Sequence, residues 1–388
     1  MASTLTKEMP AKKEERFSFS YAENLSAEET VKQAAYRRTH DTLTVKRAGR
    51  FHVGETGKAW IALIPALIFL IMFMIYPIIN TFIMSFMVDF KFMKGSGGSF
   101  AISNFIVAIN TARGSSRPYI GFDNYLKVLT DSEFIGTWAT TGWAATWEAG
   151  TIGAFFNTII IVAISVPLTI VIGLLISVCL HSIKPLQGFF QTVFFLPYVT
   201  NAIALGMVFK IIFTDGDAGL FNAFLSLFGI PAQAWLSVVA SKWNMLFVIT
   251  IYSIWNGIAF KILVFMSGLS SIDNQYYDAA KIDGASRSTI FRRITVPLLS
   301  PQILYITITS FIGAFKAYAQ IIALFGAGAY DFGGTTAKNW ETVVGYIYVV
   351  MQDQTKQGRA AAASFILLVV ILLITLVQMA VSKKKVVY

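Results

Sequence analysis

Cysteine is nearly absent: Cys179 is the one thiol in 388 residues, and it sits inside an apolar run. One thiol forms no intrachain disulfide, so cysteine usage leaves the redox compartment open. Histidine is almost as scarce. His40, His52 and His181 are scattered along the chain, whereas a zinc site needs three or four clustered ligands. No metal is expected. A phosphate cradle is missing too. No GxxxxGK[ST] occurs, and Gly54-Glu55-Thr56-Gly57-Lys58 is too short and lies on a polar tail. ATP hydrolysis within this chain is thereby excluded, and no catalytic residue or cofactor is implied.

Charge is the largest deficit. Only 13% of the residues are Asp, Glu, Lys or Arg, about half the share in a soluble domain, while 55% are hydrophobic. The net charge is still +10, from 31 Lys and Arg against 21 Asp and Glu. An apolar, basic chain reads as a membrane protein whose Lys and Arg mark cytoplasmic flanks. A nucleic-acid face needs them clustered on a folded soluble surface. Here they lie beside apolar runs and in the N-terminal tail, so nucleic acid is not an expected partner and membrane lipid is.

An α-helix rises about 1.5 Å per residue, so about 20 apolar residues cross a hydrocarbon core of roughly 30 Å. Six segments reach that length: 59–88, 155–180, 189–213, 243–269, 303–325 and 360–381. Lys210, Lys261 and Lys316 are the only charges within them. Lipid offers the backbone no partner, so each segment is expected to be helical. The fold class is all-α: a polytopic membrane protein with six transmembrane helices.

Basic residues set the orientation. Arg37, Arg38, Lys46, Arg47, Arg50 and Lys58 precede the first span, and Lys383, Lys384 and Lys385 follow the last. The loop between the fourth and fifth spans carries Lys281, Arg287, Arg292 and Arg293. An even number of spans puts these three regions on one side, which the Lys/Arg bias makes cytoplasmic. The chain then divides into a cytoplasmic tail 1–58, a transmembrane domain 59–382 and a cytoplasmic tail 383–388. The domain includes an external segment 89–154 and a cytoplasmic loop 270–301. Residues 1–58 are polar and mixed in charge, and are not a cleavable secretory signal. The external segment holds a flexible GSGGS loop and the run Trp138, Trp143, Trp147, which reads as a re-entrant or surface-lying helix around 133–150, with a binding-protein contact as the alternative.

The cytoplasmic loop carries the most specific pattern. Residues 276–301 read YYDAAKIDGASRSTIFRRITVPLLSP. Ser271 or Asp273 can cap a helix start. Tyr277, Ala280 and Ile282 add apolar or aromatic surface, and Ala279, Ala280 and Ala285 are small enough for another helix to approach. Gly284 stands where that helix would end, because glycine accepts the left-handed cap conformation. Phe291, Ile294 and Leu298 recur at helical spacing, and Pro297 and Pro301 punctuate the entry to the next span. Composition alone fits an ordinary amphipathic loop as well as a docking handle.

The order of residues goes further. Asp278-Ala279-Ala280, then Asp283-Gly284-Ala285, then Ile294 and Pro297-Leu298 resemble the EAA loop of bacterial ABC importer permeases. Asp278 stands where that family usually has glutamate, which keeps the charge on a shorter arm. PALIFLIMFMIYPIINTFIMSF, GFDNYLKVLTDSEF, FFLPYVTNAIALGMVFKIIF, SIWNGIAFKILVFMSGLSSID, TVVGYIYVV and GRAAAASFILLVVILLI are similar to successive elements of the same family. The chain resembles the binding-protein-dependent carbohydrate ABC importer permeases of the type I core. That resemblance implies a bacterial cell-membrane subunit working with a pair of ABC ATPase subunits. It also implies a second, different permease subunit and an extracytoplasmic sugar-binding protein. The loop would be a coupling helix seated on the ATPase, using Tyr277, Asp278, Ala279, Ala280, Asp283, Gly284, Ala285 and Pro297.

Sugars are held by aromatic faces and planar polar groups. The fourth span offers Ser253, Trp255, Asn256, Gly257 and Phe260, and the fifth offers Lys316, Tyr318 and Gln320. In the resembling family these two elements help line the sugar path. Sequence neighbours lie on different helix faces, so not all of them can face one cavity. Lys261 reads as snorkelling to the cytoplasmic interface. Lys316, near mid-span, reads equally as a subunit-interface ion pair or a cavity group, and hints at an acidic or polar sugar. Two other classes stay open. A stand-alone secondary transporter or channel often shows paired, interrupted halves, and no such internal repeat or embedded Asp or Glu is found. A membrane-anchored scaffold or receptor needs neither a polar cavity nor a handle.

Overall fold

The computed structural model describes residues 55–88, 119–149, 152–183, 187–237, 239–325, 340–353 and 355–382. The tail through residue 54, the GSGGS loop and Lys383, Lys384 and Lys385 lie outside the described residues. The chain divides into two compact units, 1–74 and 75–388. The first holds α1 (Glu55–Leu70), which contains Pro65; a π-helical turn follows at Ile71–Ile75, where the boundary between the units falls. The large apolar side chains of α1, Trp60, Ile64 and Phe69 among them, are exposed, as they are on a helix whose solvent is lipid.

The second unit begins with α2 (Tyr76–Phe86), which ends in β1 (Met87–Val88). That two-residue strand pairs antiparallel with β2 (Tyr119–Ile120), the one strand pairing among the described residues. The architecture is otherwise helical. Next come α3 (Asp123–Leu129), α4 (Trp138–Thr141) and α5 (Trp143–Ala149). The helix expected around 133–150 is thus two short ones, divided at Gly142, whose φ of +81° favours glycine. Trp138 and Trp143 both pack edge-on against Phe156, at 5.9 and 5.6 Å between centroids.

The long helix α6 (Ala154–Ser182) is followed by α7 (Gln187–Val199) and α8 (Ala202–Ile212), which meet at 99°. The third expected span is therefore broken, not continuous. Pro197 lies just before the break, and Asn201 just after it caps α8 by accepting from Ile203 N at 2.8 Å. After α9 (Leu220–Ser226), the 29-residue α10 (Lys242–Ser270) starts at Ser241, whose hydroxyl accepts from Asn244 N. The elbow follows as α11 (Asn274–Ile282), α12 (Arg287–Ile290), a π-helical turn at Phe291–Thr295 and α13 (Val296–Leu298). A 67° bend then leads into α14 (Ser300–Phe315). The fifth expected span, 303–325, is also interrupted: its helix stops at Phe315 and α15 (Ala319–Phe325) begins after a short break. α16 (Val343–Gln352) and α17 (Gln357–Ser382) complete the described chain. Among the described residues four helices are long and apolar enough to cross a membrane, or up to six if each bent pair is one span.

Small residues set the packing. α6 and α10 pack side by side, and α8 packs on α15. A Cβ on Gly206 would fall 2.1 Å from Ala323 Cβ, so α8 and α15 touch backbone to backbone. Gly358 does the same for α17, where an added Cβ would meet Met87 O and Asn124 Nδ2 at 2.6 Å. The buried Asn124 amide in turn donates to Ser85 O and Met87 O at 3.1 and 3.0 Å, closing the end of α2.

The connection between α8 and α10 is held by two polar side chains. Asn222 accepts from Gln233 N and from the Trp235 indole, and donates to Gly216 O and Gln233 O. Asp215 accepts from Trp235 N at 2.5 Å and Leu236 N at 3.2 Å. Burial acts to raise the Asp215 pKa, but the donors of residues 235–237 outweigh it and hold the carboxyl below its ordinary value. A carboxylate with a depressed folded-state pKa stabilises the fold above its unfolded pKa of about 3.9, and loses that contribution as pH falls through the folded value. Asp215→Asn is therefore expected to lower the melting temperature of the detergent-solubilised protein at neutral pH. The gap from wild type should narrow as the pH is taken below about 4, which a series of melting curves measures.

Candidate functional site

Ser253, Asn256, Gly257 and Phe260 are spaced three, four and seven residues apart, so α10 presents them on one face. Trp255, two residues after Ser253, points elsewhere and is exposed. It is the one residue of the expected path that lies outside the cavity described next. The opposite wall comes from the break after α14. There Lys316 N and Ala317 N close tight turns onto Gly313 O and Ala314 O, at 3.2 and 3.1 Å. The freed Ala317 carbonyl accepts from the Thr342 hydroxyl at 2.8 Å. Lys316 thus sits at a helix end and is exposed, not in the middle of a continuous span as its sequence position suggested.

Together these faces enclose a cavity of about 630 Å³. Ser253, Asn256, Gly257, Phe260, Lys316, Tyr318 and Gln320 all line it. The Ser253 hydroxyl lies 2.7 Å from Ile249 O and 3.3 Å from Gln320 Oε1, so it bridges toward the far wall. Sequence reasoning missed a third wall, made by Tyr198, Thr200 and Ala202 at the α7–α8 break. Tyr198 stacks on Phe260 with centroids 6.2 Å apart and planes 20° off parallel. The Tyr252 hydroxyl donates to Ala202 O at 2.8 Å and fixes the break. The signal was present: Pro197 and Asn201 are breaker and cap inside an apolar run. Ser165 and Thr169 of α6 and Thr309 and Ser310 of α14 were likewise unmarked by any motif.

Lys261 does not snorkel. Its side chain is buried against α6, and its Nζ donates to Gly257 O at 3.1 Å within the lining of the same cavity.

The elbow is built differently. Asp273 caps α11 by accepting from Gln275 N at 3.0 Å. Gly284, at φ +71°, ends it, with Ala285 N returning to Ala280 O at 2.9 Å. Ser286 then caps α12 by accepting from Thr289 N. Two expected docking residues turn inward instead. Ala280 is buried, and the half-buried Tyr277 brings its hydroxyl within 3.4 Å of Thr295 Oγ1. Asp278 pairs with Lys281 at 2.8 Å in open solvent, so its short arm is satisfied within the helix. Ala279, Asp283 and Gly284 are exposed; Ala285 and Pro297 are half-buried. Ile282 is 87% exposed and Tyr276 56%, which leaves two large apolar side chains in water. Tyr276 lines a groove of about 370 Å³ with Asp273, Gln275, Ala279, Ala280, Asp283 and Ile294; Ile282 is not part of that lining. Tyr276 was missed because Tyr277 next to it looked equivalent; only the helix phase separates them.

Residues 134–387 match a family model described as binding-protein-dependent transport system inner membrane component. The arabinooligosaccharides transport system permease protein AraP of Halalkalibacterium halodurans is 26% identical over 287 residues, covering 74% of this chain and 80% of its own. The trehalose/maltose transport system permease protein MalF of Thermococcus litoralis is 27% identical over 282 residues, 73% of this chain and 80% of its own. The lactose transport system permease protein LacF of Rhizobium radiobacter is 27% identical over 267 residues, 68% and 74%. A crystal structure of a bacterial ABC transporter involved in the import of the acidic polysaccharide alginate matches with a TM-score of 0.61 at 19% identity, covering 84% of this chain and 95% of that one. A second, in complex with an alginate pentasaccharide-bound periplasmic protein, gives 0.63 at the same identity, with 84% and 94% covered. At that identity the likeness is one of fold.

The cavity geometry separates two aromatic residues that the sequence grouped together. Phe260→Ala removes a stacked cavity wall and is expected to raise the apparent KM for uptake roughly three- to tenfold. Trp255→Ala is expected to leave that KM unchanged, as uptake kinetics of the two variants would show.

Proposed function

We propose a function that proceeds from one premise: the chain belongs to the family of binding-protein-dependent transport system inner membrane components. That is a family of multi-pass membrane permeases, not of enzymes. On that premise the chain is the membrane-spanning permease subunit of an ATP-binding cassette sugar importer. It forms the translocation path with a second, different permease subunit. It receives solute from an extracytoplasmic sugar-binding protein and is driven by a separate pair of ATPase subunits through residues 276–301. Relatives whose names specify arabinooligosaccharides, trehalose and maltose, or lactose support a carbohydrate cargo. Both termini, the tails 1–58 and 383–388 and the loop 270–301 lie on the cytoplasmic side of the cell membrane; segment 89–154 lies outside.

The observation that carries this reading is the elbow. A polar helix–turn–helix turns at a left-handed glycine and leaves Ile282 and Tyr276 exposed, with Tyr276 lining a groove. Exposed apolar side chains around a concavity mark a protein-binding surface. A stand-alone carrier has no use for one between two spans. The walls of the cavity, Ser253, Asn256, Gly257, Phe260, Lys316, Tyr318 and Gln320, are the solute path. Movement of the elbow reaches them through α10 and α14, which leave its two ends.

Proline cannot adopt φ +71°, so Gly284→Pro disrupts the elbow without touching the spans. The variant is expected to insert normally and to lose ATP-coupled uptake in proteoliposomes. Ile282→Asp is expected to weaken co-purification of the ATPase by about tenfold or more, since it replaces the most exposed apolar side chain of the proposed docking surface with a charge. Normal uptake by both variants would remove the elbow from the mechanism.

A further inference from the structure

We propose that Lys261 makes the cavity a receiving site for an anion, and that the solute is a carbohydrate bearing a carboxylate. This inference rests on the importer reading above and narrows its substrate class.

The argument begins with space. Lys261 is 8% exposed and lies in the middle of α10, against α6. Two glycines make room for it. A Cβ on Gly173 would come within 3.1 Å of Lys261 Cβ, and one on Gly257 within 3.2 Å of Lys261 Nζ. The long side chain is therefore housed by the absence of two others, one on each helix, and its head emerges at the cavity wall.

The next step is accounting for donors. An ammonium carries three N–H groups. Among the described residues Lys261 Nζ has one acceptor, Gly257 O, and no carboxylate within ion-pair range. Two donors are left without an acceptor among the described residues, on a residue that lines the cavity. The lining adds a second cation, Lys316, and contains no Asp or Glu. The described walls thus carry positive charge with nothing opposite.

A buried cation is costly unless it is paired. Neutral sugar hydroxyls can accept a hydrogen bond from it but leave its charge uncompensated. A carboxylate supplies both, through shorter and stronger charge-assisted bonds. Tyr198 stacked on Phe260 gives the apolar face of a sugar ring a surface nearby, while Ser253, Asn256 and Gln320 suit its hydroxyls. The cavity therefore combines sugar-ring recognition with an unneutralised ammonium. A carboxylate reaching across from the second permease subunit is the rival occupant.

The test uses the complete transporter, with its binding protein, in proteoliposomes. Labelled uronic-acid disaccharides are each offered beside the carboxyl-reduced, neutral form of the same sugar. Uptake of a uronate is expected, and Lys261→Met should lower it about tenfold or more while changing uptake of the neutral counterpart little. Gly257→Ala, which keeps the charge but crowds the ammonium, should act in the same direction. It decides the matter alone if Lys261→Met no longer co-purifies with the ATPase. Transport of neutral sugars only would overturn the proposal. So would equal losses for both members of a pair, which would assign Lys261 to a carboxylate of the partner subunit or to packing. ATP-driven uptake of a non-sugar solute, with no saccharide of either kind carried, would instead overturn the sugar-importer reading.

Discussion

Lipid cannot hydrogen-bond a peptide group, and the structure depends on that fact more than on any other. Where the helices are continuous and free of proline, as in α10 and α17, the backbone satisfies itself. Where they break, at Thr200–Asn201 and at Lys316–Tyr318, orphaned amides and carbonyls have to be met by something else. Asn201 takes Ile203 N, Tyr252 takes Ala202 O, and Thr342 takes Ala317 O. The bonds that make the two breaks tolerable also fix their geometry. Residues of both breaks line the polar cavity together with one face of α10. The cavity is thus a consequence of where the bundle lets its helices stop.

The elbow obeys a different rule because its residues are polar and mostly exposed. Its helices can be short, since side-chain caps at Asp273 and Ser286 and the left-handed Gly284 end them cheaply. What needs explaining there is apolar surface, not polar atoms. Tyr277 and Ala280 face inward and give the elbow rigidity. Ile282 and Tyr276 face outward and remain without a covering. A rigid element with an uncovered apolar edge transmits displacement only if something binds that edge, so the elbow makes physical sense as one half of an interface. Its ends run directly into the helices that wall the cavity, which links the two regions without any long-range pathway.

Much of the site was legible before the structure, and the reasons differ by region. The elbow was readable because caps and glycine stops are local: Asp273 and Gly284 act within a few residues of themselves. Four of the five α10 residues were readable as one face because helical phase follows from spacing. The same phase rule would have removed Trp255 and separated Tyr276 from Tyr277, had it been applied residue by residue. The broken third span was half legible, since Pro197 and Asn201 stand in an apolar run. The break at Lys316 was not. Gly313 and Lys316 give little local reason to stop, and the donor the freed Ala317 carbonyl needs comes from a threonine 25 residues further on.

Composition, span length and the order of residues around 276–301 determined that this chain is a helical membrane permease with a polar elbow. These are properties of hydrophobic runs and local caps, which need no neighbours to take effect. Only the tertiary structure decided where the helices break, that seven of the eight expected path residues share one cavity, and that Lys261 is buried instead of reaching for the interface. Each of those depends on what a second helix supplies: a threonine for a loose carbonyl, a tyrosine for a kink, a glycine's empty space for a lysine. No single segment carries that information.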